Sequence, residues 1–285
     1  TSTTASSLIF EKNTVVGIQT GAMGLDKEGS RKDNYLSGIN IMSQHLIIAE
    51  GARGFLAEKI IRHYQLRSNQ TQTYGLGIKE LWEVTDKNHK KGHVQHTIGW
   101  PLHSQTHGGA FIYHMADNKV AFGFVTALDY ASASLDPFNI MQKFKTHPNI
   151  KPLFAGGRRL CYGARALNEG GYASLPTLPF PGGALIGCAA GLLNVAKIKG
   201  IHNAIESGML VAQAIQSAMP HDLSHYHALF KQSAAHKELY RARNVRQYFH
   251  LGLIKGVLLS GLDLKFFRGK MPFTLSHSIK DRQAL

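Results

Sequence analysis

Apolar residues along this chain recur at two spacings, and the switches between them mark out its elements. Residues 7–10 and 14–20 read as short strands around Lys12-Asn13, followed by a loop rich in Gly, Lys and Asp to about Gly38. Residues 46–49 form an apolar run suited to a buried strand. It leads through Glu50-Gly51-Ala52-Arg53-Gly54 to Leu56, Ala57, Ile60, Ile61 and Tyr64, whose three- and four-residue spacing predicts a helix. From about Gln72 the period drops to two. Tyr74, Leu76 and Ile78 alternate, and residues 93–100, 109–115 and 120–128 continue an antiparallel sheet around a turn at Asp117-Asn118. The aromatic residues Trp82, Trp100, Phe111, Tyr113, Phe122 and Phe124 are read mainly as sheet interior. A further apolar run ends at Leu185-Ile186 and passes through Gly187 and Gly191. Gly200 then opens a helix on which Ile201, Ala204, Ile205, Gly208, Ala212 and Ile215 repeat at helical spacing. Residues 249–267, FHLGLIKGVLLSGLDLKFF, are dense in Leu and Phe but interrupted by His250, Lys255, Asp263 and Lys265.

The order strand, glycine turn, helix occurs twice, and it is the order from which nucleotide sites are built. Gly187 and Gly191 let the backbone approach a ligand where a Cβ would clash, and the first-turn N–H groups at Gly200 and Ile201 point back at whatever fills the turn. An ordinary β–α connection has the same spacing, so both readings stay open there and at residues 50–54. The pair Gly108-Gly109, entering a strand, suits either backbone facing a flat ring or a β-bulge.

A length of 285 residues with 44% apolar content allows one large domain or two small ones. The only cysteines are Cys161 and Cys188, too few for a disulfide framework and too few for a four-thiolate iron–sulfur cluster; a reducing compartment is expected. The polar start TSTTASSLIF shows no apolar leader, and the chain is expected to begin mid-domain. The net charge of +14 admits a nucleic acid or a membrane surface. The basic residues are not gathered into a recognisable RNA or DNA module, so no nucleic-acid partner is expected. His89, His93, His96, His103 and His107 fall in strand and loop without nearby Asp, Glu or Cys in a ligand pattern, and no metal site is expected.

Residue identity then narrows the reading. GCAAGLLNVAKIKGIHNAIESGMLVA (187–212), TYGLGIKELWEV (73–84), HTIGWPL (96–102), GGAFIYH (108–114), GFVTALDY (123–130), YGARALNEGGY (162–172) and RNVRQYFH (243–250) resemble the electron transfer flavoprotein-ubiquinone oxidoreductase family, from about Val16 to about His277. The resemblance implies an internal piece of a chain about twice as long, lacking an N-terminal GxGxxG unit and a C-terminal 4Fe-4S domain. It implies an α/β fold with an α+β cap: a partial FAD-binding, glutathione-reductase-like domain plus an antiparallel-sheet quinone-binding domain. The expected divisions are 1–71 and 153–218 for the FAD-binding part, 72–152 for the cap and 219–285 for a helical membrane-associating region.

The roles that the resemblance implies follow residue by residue. FAD is expected against Glu50, Gly51, Arg53 and Gly54, and against Gly187, Cys188, Gly191, Asn194, Gly200 and Ile201, with the Asn194 amide near the ring or ribityl. The ubiquinone headgroup is expected at Gly108 and Gly109. No side chain is expected to act as a general acid or base. Ala190 and Ala196 stand where the family has prolines, Ile201 where it has threonine, and His107 where it has tyrosine. Phe249, Leu253, Ile254, Val257, Leu258, Phe266 and Phe267 are expected to touch a membrane. Arg241, Arg243, Arg246, Lys265, Arg268 and Lys270 bracket that stretch toward anionic lipid. The implied function is electron passage from electron transfer flavoprotein through FAD and the cluster to ubiquinone, by a monomer on the inner face of a bacterial or mitochondrial inner membrane. Alternatives are a flavoprotein of the geranylgeranyl-reductase type and a basic binding protein without enzymatic activity.

Overall fold

The computed structural model describes residues 3–68 and 70–276; the far limit of the family resemblance, His277, lies outside the described residues. In chain order, strands β1 (Ala5–Glu11), β2 (Thr14–Thr20), β3 (Met23–Leu25), β4 (Arg31–Leu36), β5 (Asn40–Met42) and β6 (Leu46–Ile48) precede helix α1 (Phe55–His63). Then come β7 (Tyr74–Glu83), β8 (Val94–His96), β9 (Gly108–His114), β10 (Lys119–Ala127), helices α2 (Pro137–Lys145) and α3 (Lys151–Phe154), and β11 (Arg158–Asn168). Short strands β12 (Pro179–Phe180) and β13 (Gly183–Leu185) lead to α4 (Ile201–Gln216), α5 (Ser224–Gln232), α6 (Ala234–Arg241), α7 (Val245–Tyr248) and α8 (Leu253–Lys265).

The chain forms two compact units. The first comprises Thr1–Ser68, Leu175–Leu193 and Lys199–Leu239; the second comprises Asn69–Ser174, Asn194–Ile198 and Tyr240–Leu285. These divisions differ from the expected ones. β11 joins the sheet of the second unit, so that sheet runs past residue 152; Asn194–Ile198 also falls in the second unit, and residues up to Leu239 group with the first unit rather than with the C-terminal helices. The physical reason for the first difference is register: β11 pairs with β7 along its length, from Arg158 opposite Glu83 to Asn168 opposite Tyr74.

In the first unit, β1, β2 and β5 form an antiparallel sheet, and the expected loop to Gly38 contains a hairpin, β3 with β4. β6 and β13 pair in parallel, Leu46 opposite Gly183 and Ile48 opposite Leu185, although 134 residues of chain separate Ile48 from Gly183. Buried Leu56, Ala57, Ile60 and Ile61 pack α1 inward, as their spacing predicts. The helix on residues 201–216 departs from expectation. Its buried face is Asn203, Ser207, Val211 and Ala214, while Ile201 is 79% exposed and Ile205 and Met209 are also exposed. The polar face turns in because it satisfies the backbone: Asn203 Nδ2 donates to Leu192 O (3.0 Å) and Gly187 N–H donates to Ser207 Oγ (3.0 Å).

The second unit is a five-stranded antiparallel sheet in the order β11-β7-β10-β9-β8. One face carries the core of Ile78, Ile112, Val120, Phe122 and Phe124, closed by Met141 and Phe144 of α2; the Phe122 and Phe144 rings stack at 5.7 Å. Asp136 starts α2 by accepting from Phe138 N–H at 2.8 Å. Phe111 and Tyr113 lie half-buried on the opposite face of the sheet, and Trp100 is exposed, so these three are not core. Glu80 is buried on β7 and accepts from Lys145 (2.9 Å), Arg159 (3.1 Å) and Trp82 Nε1 (2.8 Å). Burial alone would raise its carboxyl, but these donors outweigh it and hold it below the usual carboxylate range.

Candidate functional site

The parallel pairing of β6 with β13 puts the segments that leave them, residues 50–54 and 187–191, at one edge of the same sheet. That carboxyl edge is where open α/β sheets bind ligands. Glu50 turns back onto α1, its Oε2 accepting from Ala57 N–H at 2.8 Å. A Cβ on Gly54 would overlap the Glu50 side chain, which explains the glycine. Gly51 (φ +85°) opens on free space, and Arg53 is exposed. In the second segment, Gly187 (φ +56°) and Gly191 (φ +79°) both adopt the left-handed conformation, bracketing a 3-10 turn that Leu192 N–H closes onto Gly187 O. Burial pushes the Cys188 thiol up, so it is held as thiol; both cysteines are free.

Gly200 starts α4 without a side-chain cap, and no acidic residue lies in the first turn. Ile201 lies at the exposed start of this helix. Asn203 is fully buried, and its Oδ1 has no partner among the described residues. A turn of left-handed glycines beside an uncapped helix start fits the electron-rich edge of a flavin ring. Asn194 is buried in the second unit, and its Oδ1 accepts from Lys197 N–H at 3.2 Å.

At the glycine pair the strands themselves demand glycine. A Cβ on Gly108 would overlap Val125 O, and one on Gly109 would overlap Thr97 O. β9 is thus squeezed between β10 and the chain after β8. His107, just before the pair, stands over a buried ionisable cluster that the sequence reading missed. Arg246 spans Asp129 (2.7 Å) and Glu169 (3.3 Å), with His250 Nε2 3.9 Å from Asp129. Burial, then the Arg246 charge, pushes the His107 imidazole down to about 3. Arg246 is 5% exposed; burial would lower its pKa, but Glu169 and Asp129 raise it and keep it charged. Arg246 and Glu169 both fall inside motif stretches, yet nothing local in sequence shows that they meet.

The C-terminal helix is inside out. Gly256, Ser260 and Asp263 face inward, with Tyr248 O–H donating to Asp263 Oδ2 at 3.1 Å, while Ile254, Val257, Leu258, Phe266 and Phe267 are exposed. Two expected membrane contacts differ. Phe249 is buried, because its ring covers Gly256 and stands edge-on to His107 at 5.0 Å, and Leu253 is only half-exposed. Nor do two of the flanking arginines reach a surface. Arg246 is in the cluster, and Arg243 is buried, donating to the carbonyls of Tyr240, Gly269 and Met271. Among the described residues no helix is long and apolar enough to cross a membrane, and no group of three or more metal-ligating side chains occurs.

Residues 74–167 match the family model described as ETF-QO, ubiquinone-binding. The chain is 47% identical over 286 residues to "Electron transfer flavoprotein-ubiquinone oxidoreductase, mitochondrial" of Oryza sativa subsp. japonica, covering 98% of this chain and 50% of that one. The like-named protein of Homo sapiens is 42% identical over 296 residues, covering 99% and 48%. The chain thus spans about half the length of the curated relatives it matches. Among solved structures, a geranylgeranyl bacteriochlorophyll reductase-like protein from Thermoplasma acidophilum superposes with a TM-score of 0.65 at 18% identity, covering 92% of this chain and 61% of that one. The flavin-dependent brominase Bmp2 superposes at 0.59 and 16% identity, covering 94% and 63%. These likenesses show a fold shared with flavin-dependent enzymes. Along nearly its whole length, the chain is similar to the electron transfer flavoprotein-ubiquinone oxidoreductases.

Proposed function

We propose that this chain supplies part of the flavin site and the quinone site of an oxidoreductase that passes electrons from reduced electron transfer flavoprotein to membrane ubiquinone. The observation that carries the reading is coincidence of limits: the ubiquinone-binding match, 74–167, begins at the first residue of β7 and ends one residue before the end of β11. The matched region is therefore a folded sheet, and it contains Gly108-Gly109, the expected headgroup position.

FAD, when bound, takes up and releases the electrons. Residues 50–54, with Gly187, Cys188, Gly191, Gly200 and Ile201, would hold its ring side, and the uncapped start of α4 would favour negative charge there. The expected 4Fe-4S cluster needs four thiolates, which Cys161 and Cys188 do not provide, so no step is assigned to it in this chain.

The exposed apolar face of α8, with Lys255, Lys265, Arg268 and Lys270 about it, suits a helix lying in the membrane interface. On this reading the protein rests on the inner face of an inner membrane, and several relatives bear the name mitochondrial.

The test is turnover of the full natural protein with reduced electron transfer flavoprotein as donor and a short-chain ubiquinone as acceptor. Quinol formation is expected. A flavin that is reduced by a chemical reductant but passes no electrons to the quinone contradicts the proposal.

A further inference from the structure

The ionisable cluster beside the glycine pair belongs entirely to the second unit and has features that a purely structural ion pair does not need. Arg246 faces two carboxylates, Asp129 and Glu169, in a buried setting. His107 Nδ1 lies 3.9 Å from Glu169 Oε2, beyond hydrogen-bond length, and has no partner among the described residues. The Phe249 ring fixes the imidazole edge-on. At the other end, His250 lies 3.5 Å from Arg246 and 3.9 Å from Asp129, and its side chain is 36% exposed. The groups therefore run from a half-open histidine to a buried one that immediately precedes Gly108.

We propose that His107 is a catalytic proton donor to the quinone oxygen nearest the glycine pair, with Glu169, Asp129 and Arg246 as positioning residues and His250 as the point of proton entry. The proposal rests on the quinone reading of Gly108-Gly109. Reduction of a quinone to a quinol takes two electrons and two protons, one proton for each carbonyl oxygen. The electrons come from the bound flavin. For this oxygen, an imidazole N–H bond breaks as the O–H bond forms, and the other ring nitrogen takes up a proton from the carboxyl side of the cluster. Bulk water restores that proton through His250 and Asp129, with bridging water molecules carrying it across the 3.9 Å gaps and past Arg246 to Glu169. The second oxygen receives its proton from elsewhere.

Electrons arriving on the quinone raise the proton affinity of the groups beside it, so proton uptake follows reduction instead of preceding it. The imidazole is neutral in the resting protein, in line with its depressed pKa. Arg246 cannot carry the proton itself, because its guanidinium stays charged; it holds the two carboxylates in place.

The experiment compares two acceptors in the full natural protein loaded with flavin: a short-chain ubiquinone, which must be protonated, and ferricyanide, which takes an electron and no proton. The His107→Phe variant keeps a ring against Phe249 and removes both nitrogens. The ratio of quinone to ferricyanide rate is expected to fall about a hundredfold, the low end of the range ascribed to general acid catalysis. His250→Gln lies at the exposed end and leaves the Arg246 pairs intact, which keeps the proposal testable if His107→Phe does not fold. It is expected to lower the same ratio and to flatten its pH profile. Folded variants, with wild-type melting temperature and flavin content, whose ratio and pH profile match wild type overturn the proposal. Wild-type protein that reduces ferricyanide but not quinone overturns the quinone reading, and this inference with it.

Discussion

Gly108 and Gly109 meet a structural demand before any ligand is considered. Because Val125 O and Thr97 O occupy the space of their missing Cβ atoms, Gly109→Ala is expected to lower stability by about 3 kcal/mol, read as a lower denaturation midpoint. Loss of quinone reduction in that variant therefore says nothing about the headgroup unless the fold is intact. A second residue-scale prediction concerns Glu80. Glu80→Ala leaves Lys145 half-stranded beside the core and should destabilise the second unit by about 3 kcal/mol, while Arg159→Ala, removing a half-exposed partner, costs about 1 kcal/mol or less. The third is pH. His107 takes up a proton near 6.5 when unfolded but only near 3 when folded, so the unfolded state binds more protons between those values. Its stabilising share is complete above about pH 6.5 and is lost as pH falls toward about 3. The melting temperature of His107→Phe should consequently fall less between about pH 7 and about pH 4 than that of wild type, and an unchanged difference contradicts the assignment.

Elements with local grammar are legible in the sequence; those set by distant partners are not. Leu56, Ala57, Ile60 and Ile61 define α1 by spacing alone, and β7, β9 and β10 follow from alternation. The inward face of α4 escapes the same logic, since Asn203 and Ser207 face inward to serve Leu192 and Gly187, an arrangement periodicity cannot show. Arg246 looks like a surface cation beside an apolar stretch. Its carboxylate partners lie 117 and 77 residues away, so only the folded chain reveals a buried cluster. Hydropathy marks α8 correctly as unusual, because its apolar residues point outward and its small and polar ones inward. Replacing both Ile254 and Leu258 by Asp should therefore leave the melting temperature within a few degrees of wild type. Binding to anionic vesicles should weaken by about 3 kcal/mol, or roughly a hundredfold, as measured by co-sedimentation. Unchanged sedimentation would remove α8 from the membrane account.

At the scale of the whole molecule, the candidate features fall in two compact units. The first presents glycine turns at the carboxyl edge of parallel β6 and β13, the geometry of a nucleotide-type cofactor. The second is the sheet matched by the ubiquinone-binding family, with the ionisable cluster near its glycine pair and the inside-out helix α8. The proposed function holds that the flavin of the full natural protein gives its electrons to ubiquinone. It is tested most directly by reducing the flavin of the full natural protein anaerobically and adding a short-chain ubiquinone in steps. Return of the oxidised flavin spectrum in proportion to the quinone added is the predicted result. A flavin that stays bleached with quinone in excess, yet reoxidises with ferricyanide, contradicts the account.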